Sequence, residues 1–427
     1  MNLDRTITPP SLPVEKLFFP KVNNIKLDNG VETYYFHSAE IEIIKLELLF
    51  KAGSKHQQKL LSAYFANALI KNGTSKLSAN QIADEVDFYG AYLESENHRD
   101  YSSIILYCTT KYLENLLPLL QEILTDAQFP DKEFSIFKKN KMQKFKVNTE
   151  KVDYLASKHF NTILFGKEHY YGASAWLSDF ENLTREDVYS FYRTHYANEE
   201  FTIIASGNVN ENALKLINKY LGNITVDDTP VVLDKPTLAT SNEKKHFIKK
   251  EGAIQSAIKI GKPLFTRNNP DFFDAIITNC LLGGYFGSRL MSNIREDKGF
   301  TYGIYSSVVP LSDAGFFEIS TEVGKEVTHD ALTEIYKELD ILCNEDVPKV
   351  ELLQVQNYLS GKLLKSLDGP FSLAERFKIV HLHGFDMNYY HNYLISIKNI
   401  TPVKVKEMAQ KYFSKESMIE LTVGDWK

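Results

Sequence analysis

The most constraining feature of this 427-residue chain is an internal repeat. Residues 183–207 align without gaps with residues 400–424, and the aligned pairs, such as Tyr196 with Phe413, are all 217 positions apart. Two further matches follow in the same order, at offsets of 218 and 209: residues 130–134 with 348–352, and residues 90–93 with 299–302. Three matches in one order indicate a duplicated module rather than chance similarity.

Each copy shows the same succession of apolar patterns, with period two for strands and helical spacing for helices. The predicted strands are residues 43–51, 91–96, 102–108 and 201–206 in the first copy, and 256–263, 303–309, 316–323 and 418–423 in the second. The predicted helices include residues 58–72, 111–127, 270–282 and 327–344. Hairpin-paired strands with helices gathered on one face predict an α+β fold of two homologous domains, each a mostly antiparallel sheet.

The domain boundaries follow from the repeat. We expect an N-terminal domain over residues 1–223 and a C-terminal domain over residues 244–427. Between them, residues 224–243 are polar and contain prolines, as linkers commonly do. A chain of this length exceeds one hydrophobic core, which agrees with two domains.

Composition excludes several functional classes. The net charge of −6 gives no support for nucleic-acid binding. The three cysteines are far apart and form no C-x-x-C pair, so neither a disulfide framework nor a thiolate zinc site is expected. Residues 1–17 contain no apolar signal-peptide core, and the chain has no apolar run of about 18 residues that could span a membrane. We therefore expect a cytoplasmic protein.

An ordered series of short motifs carries a family resemblance. The motifs are NIKLDNGV at 24–31, KNGT at 71–74, IADEVDFYG at 82–90, LFGKEHYYG at 164–172, GGYFGSRL at 283–290 and REDKGFTYG at 295–303. Together they resemble the pitrilysin family of inverted-motif zinc metallopeptidases, which includes insulin-degrading enzyme and mitochondrial processing peptidase. The resemblance runs from about residue 15 to residue 425, and it implies that the chain forms half of a peptidase clamshell.

The zinc motif of that family is degenerate here. Active members carry H-x-x-E-H, which places two histidines on one helical face with a glutamate base between them. Counting back from Gly73-Thr74, these positions fall on Tyr64, Asn67 and Ala68. The third ligand, a glutamate in the family, falls near Gln143 and Lys144. The resemblance therefore implies a member with no catalytic metal of its own.

A second family feature is retained. In the family, an arginine and a tyrosine seven residues apart in the second domain hold the substrate backbone and stabilise the oxyanion. Arg295 and Tyr302 have this spacing, so the resemblance implies a substrate-binding pair. The alternative is that Arg295 pairs with Glu296 or Asp297 on a solvated surface and that Tyr302 is an ordinary strand aromatic.

Other candidate sites favour structural roles. His381, His383 and His391 are close in sequence, but only Asp386 adds a carboxylate, so we expect a helix end or a surface. His169 resembles a family position in a structural turn. The glycines of 283–287 lack the Lys-Ser/Thr of a phosphate-binding loop and predict a helix-breaking turn.

Three functional hypotheses remain open at this stage. The preferred one is a non-catalytic subunit that completes the peptide-binding chamber of a homologous zinc-bearing partner, the zinc being in the partner. The second is a structural or interaction protein without a proteolytic role, as in respiratory-complex core subunits of related sequence. The third is a stand-alone enzyme with a metal held by other ligands, around His381 and His383. The sequence leaves a homodimer of the isolated chain open.

Overall fold

The computed structural model describes residues 4, 6, 14, 17–197, 201–226, 233–234 and 236–426. The strands are β1 Asn23–Lys26, β2 Glu32–His37, β3 Ile43–Phe50, β4 Tyr92–Asn97, β5 Ser102–Thr109, β6 Phe201–Gly207, β7 Lys245–Lys249, β8 Gln255–Leu264, β9 Ile304–Pro310, β10 Gly315–Gly324 and β11 Ile419–Gly424. The helices are α1 Ser62–Leu69, α2 Ala79–Phe88, α3 Leu113–Asp126, α4 Asp131–Asn148, α5 Val152–Phe165, α6 Leu177–Asn182, α7 Arg185–His195, α8 Glu211–Leu221, α9 Phe272–Asn279, α10 Thr328–Asn344, α11 Lys349–Lys365, α12 Gly369–Leu382, α13 Asn388–Asn399 and α14 Pro402–Tyr412.

The strands form two sheets of the same topology. The first has the order β1-β2-β6-β3-β5-β4 and the second has the order β7-β11-β8-β10-β9. The first sheet has β1 as an additional strand at one edge. The other five strands of the first sheet follow one another in the same order as their counterparts in the second sheet. One pair in each sheet is parallel, β2 with β6 and β7 with β11, and the other pairs are antiparallel. The duplicated, mostly antiparallel α+β fold predicted from the repeat is thus confirmed.

Two predicted helices are shorter in the structure. The first was expected over residues 58–72 but spans only Ser62–Leu69. Leu61 precedes it with a φ of +76°, and this left-handed conformation prevents the helix from extending towards its N-terminus. In the second copy, α9 ends at Asn279 and continues as a π-helical segment, Cys280–Gly284. The glycines of 283–287 therefore end a helix, as predicted.

Each sheet also receives one helix from the other half of the chain. Helix α5 buries Ala156, Phe160 and Leu164 in one cluster with Leu421 and Val423 of the second sheet. Reciprocally, α12 places the ring of Phe377 at 4.7 Å from Tyr34 and 5.8 Å from Phe36 of the first sheet. The starts of α5 and α12 are 217 residues apart, the offset of the repeat. The duplicated helices are exchanged between the two sheets.

A buried ion cluster fixes α12 to the first sheet. Glu47 of β3 accepts from Lys45 at 2.8 Å and from Lys378 of α12 at 2.7 Å. Glu375 of α12 pairs with both lysines. Burial acts to lower the pKa of Lys45, but the attraction of Glu47 and the hydrogen bonds to both glutamates outweigh it and raise that pKa. Burial acts to raise the pKa of Glu375, yet its bonds to the lysines lower it.

The hairpin loops of the two sheets also meet. Ser312, in the β9–β10 loop, donates its backbone N–H to Asp100 of the β4–β5 loop at 3.1 Å. Lys55 lies between Asp100, at 3.3 Å, and Asp313, at 3.1 Å. These contacts bring the corresponding loops of the two copies together.

Part of the expected linker 224–243, residues 227–232 and 235, lies outside the described residues. The described part runs along α5, where the Ala239 N–H donates to Phe165 O at 3.2 Å and Ser241 N–H to Ile163 O at 2.9 Å. The division at residues 1–223 and 244–427 stays a proposal. No helix in the described part of the chain combines the length and apolar composition that a membrane crossing requires.

We predict that Glu47→Ala destabilises the protein by about 3–5 kcal/mol, because it leaves two buried lysines with a single carboxylate, that of Glu375, and so one buried positive charge uncompensated. Urea unfolding followed by circular dichroism measures this change. The control is Glu168→Ala, at a highly exposed glutamate, which should change the free energy of unfolding by less than about 0.5 kcal/mol. Equal effects of the two substitutions would show that the cluster does not stabilise the docking of α12.

Candidate functional site

The three predicted motif positions Tyr64, Asn67 and Ala68 lie together on α1, which packs against α7 and against strands β4 and β5. Asn67 is buried, whereas Tyr64 and Ala68 are half-buried. The Asn67 Nδ2 donates to Ser103 O and to Tyr196 Oη, each at 3.2 Å. The amide therefore ties α1 to the central sheet and to the residue that follows α7. This position performs a packing role.

A lysine occupies the space in front of Tyr64. The Lys141 ammonium of α4 lies 5.0 Å from the centre of the Tyr64 ring and 4.7 Å from that of Phe137, distances at which a cation is attracted by the ring electrons. Gln143 and Lys144, the residues predicted near the third-ligand position, are exposed on α4. The α4 residue that approaches Tyr64 is thus Lys141, and not Gln143 or Lys144 as predicted from the sequence.

Arg295 lies on an exposed surface of the second half. It belongs to a π-helical segment, Met291–Asp297, a helix type common at functional sites. Its guanidinium stacks 4.6 Å from the ring centre of Phe286, which is 58% exposed. The nearest carboxylate, Glu296, is 3.9 Å away, so the ion pair of the alternative interpretation is a long one. The Arg295 side chain remains 34% exposed.

Tyr302 follows on the loop before β9 and is 97% exposed, the largest value among the exposed apolar and aromatic side chains. Tyr305 on β9 is 53% exposed. The Met291–Asp297 segment contacts β9, the edge strand of the second sheet, and Phe286, Arg295, Tyr302 and Tyr305 are together called the Arg295 surface. Exposed aromatic groups of this kind are typical of binding surfaces.

The first sheet also ends in an edge strand, β4, with a groove beside it. The groove has a volume of about 520 Å³ and lies between β4 and α2. The Lys71 ammonium donates to the backbone carbonyl of Leu93 in β4 at 2.6 Å. A carbonyl of this edge strand is therefore hydrogen-bonded to a side chain. In the described part of the chain no other strand pairs with this side of β4.

The histidines singled out in the sequence do not form a metal site. His169 is buried, accepts from the Tyr171 N–H at 3.1 Å and stacks on Phe165, in a structural role as predicted. His381 packs against Tyr34 and Phe377. Within the described residues, no three His, Cys, Asp or Glu side chains are grouped so that they could hold a metal ion.

A histidine pair that the sequence analysis did not identify lies beneath α1. The rings of His56 and His195 have their centres 5.6 Å apart in an edge-on arrangement. Burial, with the charges of His195 and Lys55, lowers the pKa of His56 to about 4, and burial lowers that of His195 to about 4. The two residues are 139 positions apart, so only the fold brings them together.

Comparison with known proteins identifies the family. The family model described as Insulinase (Peptidase family M16) matches residues 35–172, and the one described as Peptidase M16 inactive domain matches residues 182–359. The two matches together cover more than half of the chain. The chain belongs to peptidase family M16. It is a non-catalytic member of that family, and its sequence contains no H-x-x-E-H.

Relatives in family M16 are distant in sequence and similar in length. The uncharacterized zinc protease YmxG of Bacillus subtilis is 21% identical over 82% of this chain and 85% of its own. The mitochondrial-processing peptidase subunit beta of Rattus norvegicus is 22% identical over 87% of this chain and 78% of its own. A solved M16 inactive domain from Pseudomonas fluorescens is 20% identical, with a TM-score of 0.86 over 95% of this chain and 98% of its own.

The first half of this M16 chain does not fit a zinc ion at the motif positions. Zinc sites in proteins use imidazole, thiolate or carboxylate donors, and none is present at Tyr64, Asn67 or Ala68. The Asn67 amide is already engaged by Ser103 and Tyr196. The Lys141 ammonium also lies close to Tyr64, and its positive charge would oppose a second cation. These positions therefore do not provide a zinc site.

We predict that Asn67→Ala destabilises the protein by about 1–3 kcal/mol, since it removes both hydrogen bonds of a buried amide, to Ser103 O and to Tyr196 Oη. The control is Asn140→Ala on the exposed side of α4, for which we expect less than about 0.5 kcal/mol in either direction. Both values come from urea unfolding. An unchanged stability for Asn67→Ala would contradict the packing role of this position.

The histidine pair predicts a pH dependence. Unfolded histidines bind a proton near pH 6.5, whereas folded His56 and His195 do so only near pH 4. The unfolded state therefore binds more protons between these values, and the free energy of unfolding should fall as the pH falls from about 6.5 to about 4. His56→Gln should flatten this slope, whereas His329→Gln, at an exposed histidine, should not. Urea unfolding at several pH values tests this, and identical slopes would refute it.

Proposed function

We propose that the chain is a non-catalytic subunit of a heterodimeric zinc endopeptidase. In this proposal it completes the peptide-binding chamber of a homologous partner that carries H-x-x-E-H. The observation that carries the proposal is an asymmetry between the halves: Asn67 of the predicted motif serves packing on α1, whereas the Arg295 side chain is 34% exposed and Tyr302 is 97% exposed. The cytoplasmic location stays a prediction from sequence.

The proposed role of Arg295 and Tyr302 is to bind the substrate backbone across the chamber. Peptide hydrolysis places negative charge on a carbonyl oxygen, and a fixed cation and a hydroxyl donor lower the barrier when they are aimed at that oxygen. The stacking of Arg295 on Phe286 restricts the guanidinium without using its N–H donors. The hydroxyl of Tyr302 is on a side chain that is almost completely accessible. Both groups are thus available to a ligand.

The groove beside β4 supports an extended peptide as substrate. An extended segment can add to a free sheet edge through backbone hydrogen bonds. In β4, exposed and half-buried residues alternate along the strand, as they do on an edge. The mitochondrial processing peptidase relative is itself named as a subunit, which favours assembly with a second chain. The alternative is a scaffold that binds a partner through the same surfaces and takes no part in cleavage.

The test is reconstitution with an H-x-x-E-H homologue from the same organism. We expect no peptidase activity from the chain alone, and activity from the mixture. Arg295→Ala should lower kcat/KM of the mixture by about 10²-fold or more, the effect of removing one oxyanion donor, and Tyr302→Phe should lower it in the same direction. A fluorogenic peptide substrate measures the rate, and size-exclusion chromatography measures complex formation.

The matched controls are Arg193→Ala on α7 and Tyr358→Phe on α11, both outside the Arg295 surface. They should leave the rate and the complex unchanged. If the complex forms and both site variants retain the wild-type rate, the chain is a scaffold. If purified chain alone holds one zinc per molecule and cleaves peptides, the division between two subunits is wrong.

A further inference from the structure

The second half contains a cavity that the proposed peptidase role does not use. Its volume is about 360 Å³, within the range of small-molecule sites. It lies between α9, the edge strand β9, and helices α11, α12 and α13. Much of the wall is apolar, with Phe272, Phe273, Ile276, Leu359 and Ile379 among the lining residues. The cavity therefore suits a ligand with an apolar body.

Three cationic side chains line this cavity, and no acidic residue does. They are Arg267 after β8, Lys362 on α11 and Arg376 on α12. Among the described residues, none of the three has a carboxylate within 4.0 Å. Glu375 is adjacent to Arg376 in sequence, but its carboxylate is engaged by Lys45 and Lys378. The positive charge of the cavity is therefore not neutralised by protein groups.

Arg267 has an unused donor in this site. Its guanidinium stacks on Phe272 at 5.3 Å, and its Nη1 donates to Tyr389 Oη at 3.0 Å, so the group is held in place. The Nε is buried and has no surface open to the cavity, whereas no hydrogen bond among the described residues uses the other terminal nitrogen, Nη2. An arginine N–H that is not engaged within the protein can donate to a ligand carboxylate.

We propose that this cavity binds a small organic carboxylate with an apolar tail or ring. The carboxylate accepts from the Arg267 Nη2, and Arg376 and Lys362 add positive charge, with Lys362 in the exposed position. The apolar body lies against the phenylalanine and leucine side chains. Charge-assisted bonds from arginine to carboxylate are among the stronger hydrogen bonds in proteins, and here they form in a partly desolvated cavity.

Isothermal titration with decanoate tests this proposal. We expect one decanoate per chain, and much weaker binding of acetate, which lacks the tail, and of decyltrimethylammonium, which has the opposite charge. Arg376→Gln and Arg267→Gln should each weaken decanoate binding at least about tenfold. Arg193→Gln, at an exposed arginine on α7, should bind as wild type does.

Hydrogen exchange locates the ligand. Decanoate should slow exchange in peptides that cover residues 272–284 and 389–393, and it should leave α2 and β4 unchanged. Equal affinity for decyltrimethylammonium, or wild-type affinity in both arginine variants, would overturn the proposal. Because Arg267 also contacts Tyr389, circular dichroism must first show that its variant folds. If the Arg267→Gln variant does not fold, the decanoate affinities of Arg376→Gln and Lys362→Gln test the proposal instead.

Two sources of such a carboxylate are separated by a second pair of probes. Acetyl-Leu-Phe with a free carboxyl group represents a peptide C-terminus, and its C-terminal amide lacks the charge. Binding of the acid but not of the amide, more tightly than decanoate, indicates peptide ends; preference for decanoate indicates fatty acids. No peptidase activity is measured in these experiments, so their outcome is independent of the subunit role.

Discussion

The exchange of α5 and α12 between the two sheets is the constraint on which the rest of the structure depends. Each helix covers the sheet of the opposite half, and the cluster of Lys45, Glu47, Glu375 and Lys378 anchors one of them in a buried environment. Removing one partner of such a cluster leaves charges that burial penalises strongly. The two halves therefore cannot separate without exposing two apolar faces and a set of paired charges. This fixes the relative positions of the β4 groove and the Arg295 surface.

The first half retains its architecture although its metal-binding residues have been replaced. A zinc site adds stability through its ligands, and its loss leaves polar positions that must be satisfied in another way. Asn67 bonds to the sheet and to Tyr196, and Lys141 lies against two aromatic rings. The surface of α1 at the predicted motif positions is thus packed by side chains and carries the Lys141 ammonium. In the proposed subunit, this surface would form part of the chamber wall.

The sequence predicted four strands in each copy, because period-two apolar patterns and the constant offset both report on local structure, but it did not identify β1, β2 or β7. It did not predict the helix exchange, since the apolar faces of residues 152–165 and 369–382 do not specify which sheet they cover. Helix α1 is shorter than predicted because Leu61 has a left-handed backbone conformation, which the sequence pattern did not indicate. Lys141 was missed because counting along α4 gives the ligand position but not the side chain that turns towards Tyr64. The His56–His195 pair depends on tertiary contact alone.

Duplication also explains why the two halves can carry different chemistry. Helices α1 and α9 are counterparts, because each follows the long central strand of its sheet and precedes the edge strand. In the first copy, the region in front of this helix is filled by Lys141, Phe137 and Tyr64. In the second copy, the region beside α9 stays open and is lined by arginines and a lysine. Arg267 and Arg376 are half-buried there and Lys362 is exposed, and none of the three has a carboxylate within 4.0 Å in the described part of the chain. The same helix position is therefore packed against side chains in the first copy and available to the proposed carboxylate ligand in the second.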